Sequence, residues 1–354
     1  MENTDFYLNV LNRYIDKTQE YLPLYAMFEI TNSCNFRCGH CYIPSKLKDN
    51  NESIDKNLAI KILDELKQLG CIKLLITGGE AILHPHFFEI YRHAYDLGFV
   101  ITLFSNGYNL DAKIISFLDT YKPDKLEITL YGWNEKSYSD FTKRRGAYQK
   151  VGNVLQNLVD TEINFDLKVS LTTHNVHHIQ ELNRFAERYG KKIRYDGVII
   201  NSLDQSENTL CNRLDPCDVV QLEDNYEIEP TIHQYSSALG IYETKEMLFK
   251  CGAGKNSFCI NARGELYACA QLRIFPYDLS TGSLLEGIRH FERIVNQAMP
   301  ENMKCRNCTY IDYCRYCPGR FLLESGSMFT PPKWYCEYGK LGYEKARKQK
   351  NYET

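Results

Sequence analysis

The fourteen cysteines of this chain concentrate toward its two ends. Cys34, Cys38 and Cys41 form the first group, Cys251, Cys259, Cys269, Cys305, Cys308, Cys314, Cys317 and Cys336 the second, and Cys71, Cys211 and Cys217 lie between. A chain of 354 residues can build a core without disulfides, and a reducing cytosol disfavours them, so thiols gathered in this way read as metal ligands. In Cys34-Asn-Phe-Arg-Cys38-Gly-His-Cys41 the spacings let one loop wrap three corners of an iron–sulfur cubane. One iron is then left without a thiolate, open to a chelating small molecule. A zinc knuckle and three packed thiols are the alternatives, although structural zinc prefers four ligands in paired C-x2-C spacing. The run Cys305-x2-Cys308-x5-Cys314-x2-Cys317 would by itself pass for a zinc ribbon.

These residues need a scaffold, and its pattern is visible from Tyr25 to about Asn201. A short apolar run followed by an amphipathic segment repeats there, as parallel βα units require. The runs are Ala26 to Thr31, Ile72 to Ile76, Phe99 to Phe104, Lys125 to Leu130, Phe165 to Leu171 and Ile193 to Ile200. They predict an α/β fold, a partial (β/α)6 TIM-like barrel. The first cysteine loop directly follows the first run, which puts its thiols at the C-terminal end of the strands, where barrel active sites are built. Ile54, Leu58, Ile62, Leu66 and Leu69 predict a helix with Ser53 as N-cap and Gly70 past its end. Further helices are expected over about 85–97 and 176–189, closed by Gly98 and Gly190.

Polar residues recur where the runs end. Thr77-Gly78-Gly79-Glu80 follows the second, where glycines let the backbone approach a ligand and a carboxylate can accept from an ammonium, or where the segment is only a turn. Ser105-Asn106-Gly107 ends the third, and Thr129 lies in the fourth. Lys143, Arg144 and Arg145 follow Tyr131-Gly132-Trp133, and His174, His177 and His178 read as surface histidines beyond the fifth. Residues 203–250 hold ten Asp or Glu against three Lys or Arg and read as an acidic connection. Beyond Cys251 the chain is short on long helices and rich in Cys, Gly and Tyr, a composition that folds around metal. The end from Lys345 is expected to fray. The resulting division is 1–22, a helical lead-in; 23–202, the barrel; 203–250, the connection; and 251–345, the cysteine-rich unit.

Composition excludes other classes. With 42 Lys and Arg against 45 Asp and Glu, the formal charge of −3 offers no field for gripping nucleic acid. No stretch approaches about 18 consecutive apolar residues, so no membrane helix is expected. The first 22 residues lack the apolar core of a secretory signal, and the expected location is the cytoplasm.

On the Cys34-x3-Cys38-x2-Cys41 loop and the six βα units, the chain resembles the radical S-adenosylmethionine (SAM) enzymes. Their signature has an aromatic residue before the last cysteine, a place held here by His40. The resemblance implies that the amino and carboxylate groups of SAM chelate the open iron of a [4Fe–4S] cluster. One electron then cleaves the sulfonium, and a 5′-deoxyadenosyl radical takes hydrogen from substrate. Gly78, Gly79 and Glu80 match the family's GGE motif for the SAM amino group. Ser105 and Asn106 correspond to groups bonding ribose or carboxylate, Thr129 to a ribose-contacting hydroxyl, and Arg144 or Arg145 to a carboxylate-binding arginine.

The C-terminal cysteines resemble the SPASM extension, which binds two auxiliary [4Fe–4S] clusters. Carried over by position, Cys251, Cys259, Cys269 and Cys317 hold the first, and Cys305, Cys308, Cys314 and Cys336 the second. The gap from Cys314 to Cys317 is two residues where three is commoner, and Cys259 is an additional thiol. Two complete sets of four leave no open iron, which implies electron transfer or structural support.

Relatives of this kind act mostly on peptides, and Tyr131-Gly-Trp, Asp196-Gly and Cys251-Gly-Ala-Gly-Lys resemble the peptide-maturase branch. The expected activity is an oxidative cross-link, thioether or C–C, in a ribosomally made precursor peptide. An epimerase is an alternative, with Cys211 or Cys217 as hydrogen donor; otherwise these two, like Cys71, are small buried residues. A sulfatase maturase is another, disfavoured by Ala270 where that branch carries an acid. A small-molecule dehydrogenase and a zinc-stabilised binding protein without catalysis complete the set. Expected partners are the precursor peptide, an electron donor such as flavodoxin or ferredoxin, and a separate leader-recognition protein, since about 22 residues precede the first run.

Overall fold

The computed structural model describes residues 22–206, 208–223, 225, 226 and 246–352. The expected lead-in helix falls almost wholly outside these residues, as does the stretch 227–245 of the acidic connection. Strands β1 (Tyr25–Thr31), β2 (Lys73–Gly78), β3 (Val100–Ser105), β4 (Lys125–Thr129), β5 (Phe165–Ser170) and β6 (Ile193–Asp196) form six parallel neighbours in the order β6-β5-β4-β3-β2-β1. This is the partial barrel that the repeated pattern predicts. β7 (Ser257–Ile260) pairs parallel to β1, and β8 (Glu265–Tyr267) and β9 (Tyr277–Asp278) extend the same sheet antiparallel. The sheet therefore continues across the expected boundary at residue 250.

Side chains alternate across each strand, so one face can be apolar and the other charged. Ala26, Phe28 and Ile30, Leu74 and Ile76, Ile101 and Leu103, Leu126 and Ile128, Leu167 and Val169 join one core with the surrounding helices. The opposite face holds Glu29, Glu127, Lys168 and Arg194, which pair with one another or with side chains from beyond β7.

The helices on the apolar face include α1 (Ser45–Asp49), α2 (Lys56–Gln68), α3 (Phe87–Asp96), α4 (Ala112–Thr120), α5 (Glu135–Thr142), α6 (Ala147–Val159) and α7 (Ile179–Glu187). α2 is capped by Asp55, whose carboxylate accepts from Asn57 N and Leu58 N. Ser53 does not cap it: its hydroxyl lies 2.7 Å from Thr31 Oγ1, because residues 53 and 54 bridge back to the end of β1. Gly70, Gly98 and Gly190 take the positive φ of helix-ending residues. α7 is shorter than expected, since Val176–His178 is a separate 3-10 turn. β6 ends four residues early, where Asp196 Oδ1 accepts from Val198 N and turns the chain out of the ladder.

Among the described residues the remaining helices are α8 (Pro216–Leu222), α9 (Leu284–Val295), α10 (Pro318–Ser325) and α11 (Lys333–Tyr352). α9 and α11 are long helices where few were expected, and α11 runs through the segment expected to fray. Against α8, buried Tyr338 Oη donates to Glu223 Oε1 at the helix end and Lys345 Nζ to Val220 O at 2.9 Å, while buried Tyr335 meets Phe321 and Glu324 of α10. The burial is aromatic rather than aliphatic, which a search for aliphatic periodicity misses. Among the described residues no helix is long and apolar enough to cross a membrane.

Candidate functional site

The loop carrying Cys34, Cys38 and Cys41 leaves β1 and is clamped at once by the end of β2. Gly79 N donates to Thr31 O at 2.7 Å and Glu80 N to Ser33 O at 2.8 Å. A Cβ on Gly78 would stand 2.2 Å from Thr31 O, and one on Gly79 2.4 Å from Ser33 O. Close approach is the reason for both glycines, as expected, but what they approach is the cysteine loop. Phe36 anchors the middle of the loop, its buried ring edge-on to Tyr108, Tyr131 and Tyr138 at 5.6, 5.6 and 6.4 Å. Arg37 N donates to Thr142 O at 2.8 Å, tying the loop to the end of α5.

The three thiols face one another. Burial pushes the Cys34 thiol up to about 12, with further repulsion from Glu80 and Cys41. Cys38 is also raised, first by burial and then by Cys41 and Cys34, while the Tyr131 hydroxyl donates to its sulfur. The buried Lys48 opposes these shifts. A bound cation cluster would remove this penalty by stabilising the thiolates.

Beside the thiols, buried Glu80 joins the ends of β2 and β3. Its Oε1 accepts from Ser105 Oγ at 2.9 Å and its Oε2 from Asn106 N at 2.7 Å. Burial nevertheless raises its carboxyl to about 7. Asn106 Nδ2 donates to Asn35 Oδ1 at 2.8 Å and lies 3.9 Å from Cys34 Sγ. His40 stands 5.9 Å from Tyr131 and 5.1 Å from Phe141 between ring centroids. Burial lowers its pKa to about 4, which leaves the imidazole neutral at pH 7. Among the described residues, His40 Nδ1 and Asn35 Nδ2 are buried polar atoms without a hydrogen-bond partner. Both flank the thiols, and a polar ligand there would satisfy them.

Thr129 ends β4, two positions before Tyr131 and in register with Lys168. The exposed Arg144 stacks on Tyr108, 4.9 Å from its centroid, next to the Ser105–Asn106 turn. Arg145 lines a surface depression with Glu135 and Lys136, away from the thiols. Cys71 is buried as expected, but Cys211 and Cys217 are exposed, which corrects their reading as small buried residues. Cys217 lies on α8 beside Gln221. Cys211 lies on the 3-10 turn Thr209–Asn212, whose Asn212 Nδ2 donates to Gly39 O at 2.8 Å.

The second cysteine group divides into two sets. Burial pushes Cys251 up to about 12, with added repulsion from Cys269 and Cys317. Cys259, on β7 beside Met27, is near Cys269 but also accepts a hydrogen bond from Arg273. Burial likewise takes Cys305 to about 12, with Cys336 and Cys308 adding to it, and the raised Cys314 faces Cys305, Cys336 and Cys308. All fourteen thiols are free of disulfides. Among the described residues no three His, Cys, Asp or Glu side chains come together to hold a single metal ion. Mononuclear zinc needs four ligands about 2.0–2.3 Å from one point.

Sequence reasoning missed the polar lining of the sheet. Arg273 Nη2 bonds Glu29 Oε1 at 2.7 Å, and Tyr42 Oη donates to the same oxygen at 3.0 Å. Arg194 bonds Glu127 at 2.7 Å, with Lys168 at 3.4 Å. Lys168 sits over the Phe104 ring, and burial draws its pKa down to about 8. Asp196 is close enough to His40, Lys168 and Arg320 to perturb each. The signal was present in Lys-Leu-Glu-Ile-Thr, Phe-Asp-Leu-Lys-Val-Ser and Ile-Arg-Tyr-Asp, strands whose charged residues recur at period two.

Comparison with family models matches residues 28–186 to the radical SAM superfamily. The chain is 24% identical over 339 residues to the antilisterial bacteriocin subtilosin biosynthesis protein AlbA of Bacillus subtilis, covering 90% of this chain and 72% of AlbA. It is 22% identical over 341 residues to the AdoMet-dependent heme synthase of Methanosarcina barkeri, covering 89% and 97%. The crystal structure of Streptococcus suis SuiB bound to precursor peptide SuiA aligns with a TM-score of 0.72 at 16% identity, covering 92% of this chain and 78% of SuiB. At that identity the likeness concerns the fold.

Proposed function

Since residues 28–186 form a radical SAM domain, we propose that this chain modifies a ribosomally made precursor peptide by an oxidative thioether or C–C cross-link. The observation that carries the reading is the Cys34–Cys38–Cys41 triad set against the Glu80–Ser105–Asn106 junction at the strand ends. A reduced [4Fe–4S] cluster with SAM bound supplies a 5′-deoxyadenosyl radical that abstracts hydrogen. Cys34, Cys38 and Cys41 would hold that cluster. Glu80 would accept an N–H from the SAM amino group, and Ser105 and Asn106, already fixed on Glu80, would serve its ribose or carboxylate. Arg144, on its Tyr108 platform, is better placed for the carboxylate than Arg145. Cys251, Cys259, Cys269 and Cys317 form one auxiliary site, and Cys305, Cys308, Cys314 and Cys336 the other. The inner-face pairs Glu29–Arg273 and Glu127–Lys168–Arg194 orient polar groups of the peptide while the apolar helix layer excludes water.

A peptide substrate draws support from AlbA, a bacteriocin biosynthesis protein, and from SuiB, seen with its precursor peptide. A small-molecule substrate is the competing reading, supported by the likeness to a heme synthase. The fourteen free thiols suit a reducing cytoplasm. The deciding experiment incubates enzyme, SAM and reductant with the peptide encoded beside the gene, in heavy water, followed by mass spectrometry. Loss of two hydrogens is expected from the peptide. Deuterium uptake without net oxidation would instead mean epimerisation, and unchanged peptide with SAM cleaved on a tetrapyrrole would favour the small-molecule reading.

A further inference from the structure

An unusual series of rings connects the cysteine loop to the protein surface. Phe141, on α5, lies 5.1 Å from His40 at 32° and 6.5 Å from Tyr131, whose hydroxyl bonds Cys38. On its other side Phe141 stacks on His174 at 5.0 Å and 18°. His174 is 5.3 Å from Trp133, and Trp133 is stacked on His178 at 3.8 Å and 13°. The rings come from the cysteine loop, the β4–α5 connection, α5 and the β5–α7 connection, so four segments contribute to one series of neighbouring rings, stacked at Phe141–His174 and Trp133–His178 and tilted elsewhere. His174 is oriented by a hydrogen bond between its Nε2 and Ser137 O at 3.1 Å. Mere packing of α5 would favour aliphatic side chains, which carry no polar nitrogen to desolvate.

Resting on the radical SAM reading, we propose that this series is the electron entry route to the Cys34–Cys38–Cys41 site, and that its outer end docks a small acidic one-electron carrier protein. Tunnelling weakens steeply across gaps and is fastest through atoms in contact, which is what the stacked rings provide. The step moves one electron: the carrier is oxidised by one, the cluster is reduced by one, and no bond or proton is exchanged. The outer end is accessible, with the His178 side chain 38% exposed, Trp133 half-buried and His177 exposed. Nearby stand the exposed Lys136, Lys143 and Arg145, with Arg184, against Glu135, Asp140, which pairs with Lys136, and Glu181, which pairs with Arg184. This local positive excess contrasts with the formal charge of −3 for the whole chain, and it would orient an acidic carrier onto this face.

The test uses the cluster-loaded full chain and two reductants, dithionite and an acidic flavodoxin. The readout is the freeze-quenched EPR signal of the reduced cluster that responds to SAM, alongside flavodoxin binding by anaerobic calorimetry. Trp133→Ala and His178→Ala are expected to slow flavodoxin-driven reduction several-fold and leave the dithionite rate unchanged, while His178→Phe, which keeps the stack, restores it. Lys136→Glu with Lys143→Glu is expected to weaken flavodoxin binding roughly tenfold at low salt, with the difference shrinking as salt is added. Equal slowing with both reductants, or no slowing with flavodoxin in any variant, overturns the route. If Trp133→Ala does not fold, the His178 and lysine variants, which alter only exposed or half-exposed groups, decide the matter. Absence of any SAM-responsive signal in the wild type under dithionite would instead remove the radical SAM reading itself.

Discussion

Burial raises the Glu80 carboxyl into the neutral range, which on the proposed reading makes its titration a reporter of SAM. Its pKa of about 7 in the free protein exceeds the ordinary value because burial disfavours the anion. An N–H of the iron-bound SAM amino group donating to it favours the anion, so binding releases a proton. SAM affinity should therefore rise with pH up to about 7 and level off above it, with a slope approaching tenfold per unit below. Calorimetry of Glu80→Gln should show weaker binding and no such slope; a slope that survives would place the titrating group elsewhere. Replacing Cys34, Cys38 and Cys41 together by Ala should abolish cleavage of SAM to 5′-deoxyadenosine, whereas Cys336→Ala should spare part of that cleavage and impair the peptide product, both read by chromatography. The cysteines were legible in the sequence because ligand spacing within one loop is a local property. Tyr131 and Arg273 were not, because each acquires its role from a partner far away in the chain, Cys38 and Glu29.

At the scale of elements, the junction of β1, β2 and the cysteine loop has no spare space. A methyl at Gly79 would meet Ser33 O at 2.4 Å and Asn32 O at 2.5 Å, both backbone atoms that cannot swing aside. Gly79→Ala should destabilise the fold by about 1–3 kcal/mol and displace the thiols, lowering iron retained at the first site. Gly98→Ala, where the added atom would meet only Lys67 Nζ at 3.9 Å, should lose stability from its positive φ yet keep its iron. Iron analysis with urea titration separates the two, and equal iron in both variants would contradict a clamping role for Gly79. The six strands were legible because apolar runs closed by Gly or turn residues repeat with regular spacing. α11 was not, since its buried side is Tyr335 and Tyr338 with Trp334 stacked alongside, in a segment of low mean hydropathy.

For the molecule as a whole, the issue is whether the barrel and the cysteine-rich region are separate cooperative units. Several contacts join them. β7 occupies the free edge of β1 with the register Tyr25↔Ser257 through Phe28↔Ile260. Lys61 Nζ donates to Leu279 O and Gly282 O at 3.0 Å, and Arg273 reaches the buried Glu29. Without β7 the edge of β1 would lose its ladder partner, and without Arg273 the Glu29 carboxylate would be a buried charge lacking its ion pair. Breaking one side of such a pair costs about 3–5 kcal/mol, so Arg273→Met should lower the stability of both regions together. The two tryptophans offer a direct measurement, because Trp133 reports on the barrel and Trp334 on α11. In Trp133→Phe and Trp334→Phe single-tryptophan proteins, urea unfolding followed by fluorescence should give coincident midpoints, each falling by the same amount when Arg273→Met is added. Separate midpoints, or a fall confined to Trp334, would mean that the shared sheet does not couple the cofactor site to the region proposed to hold the auxiliary clusters.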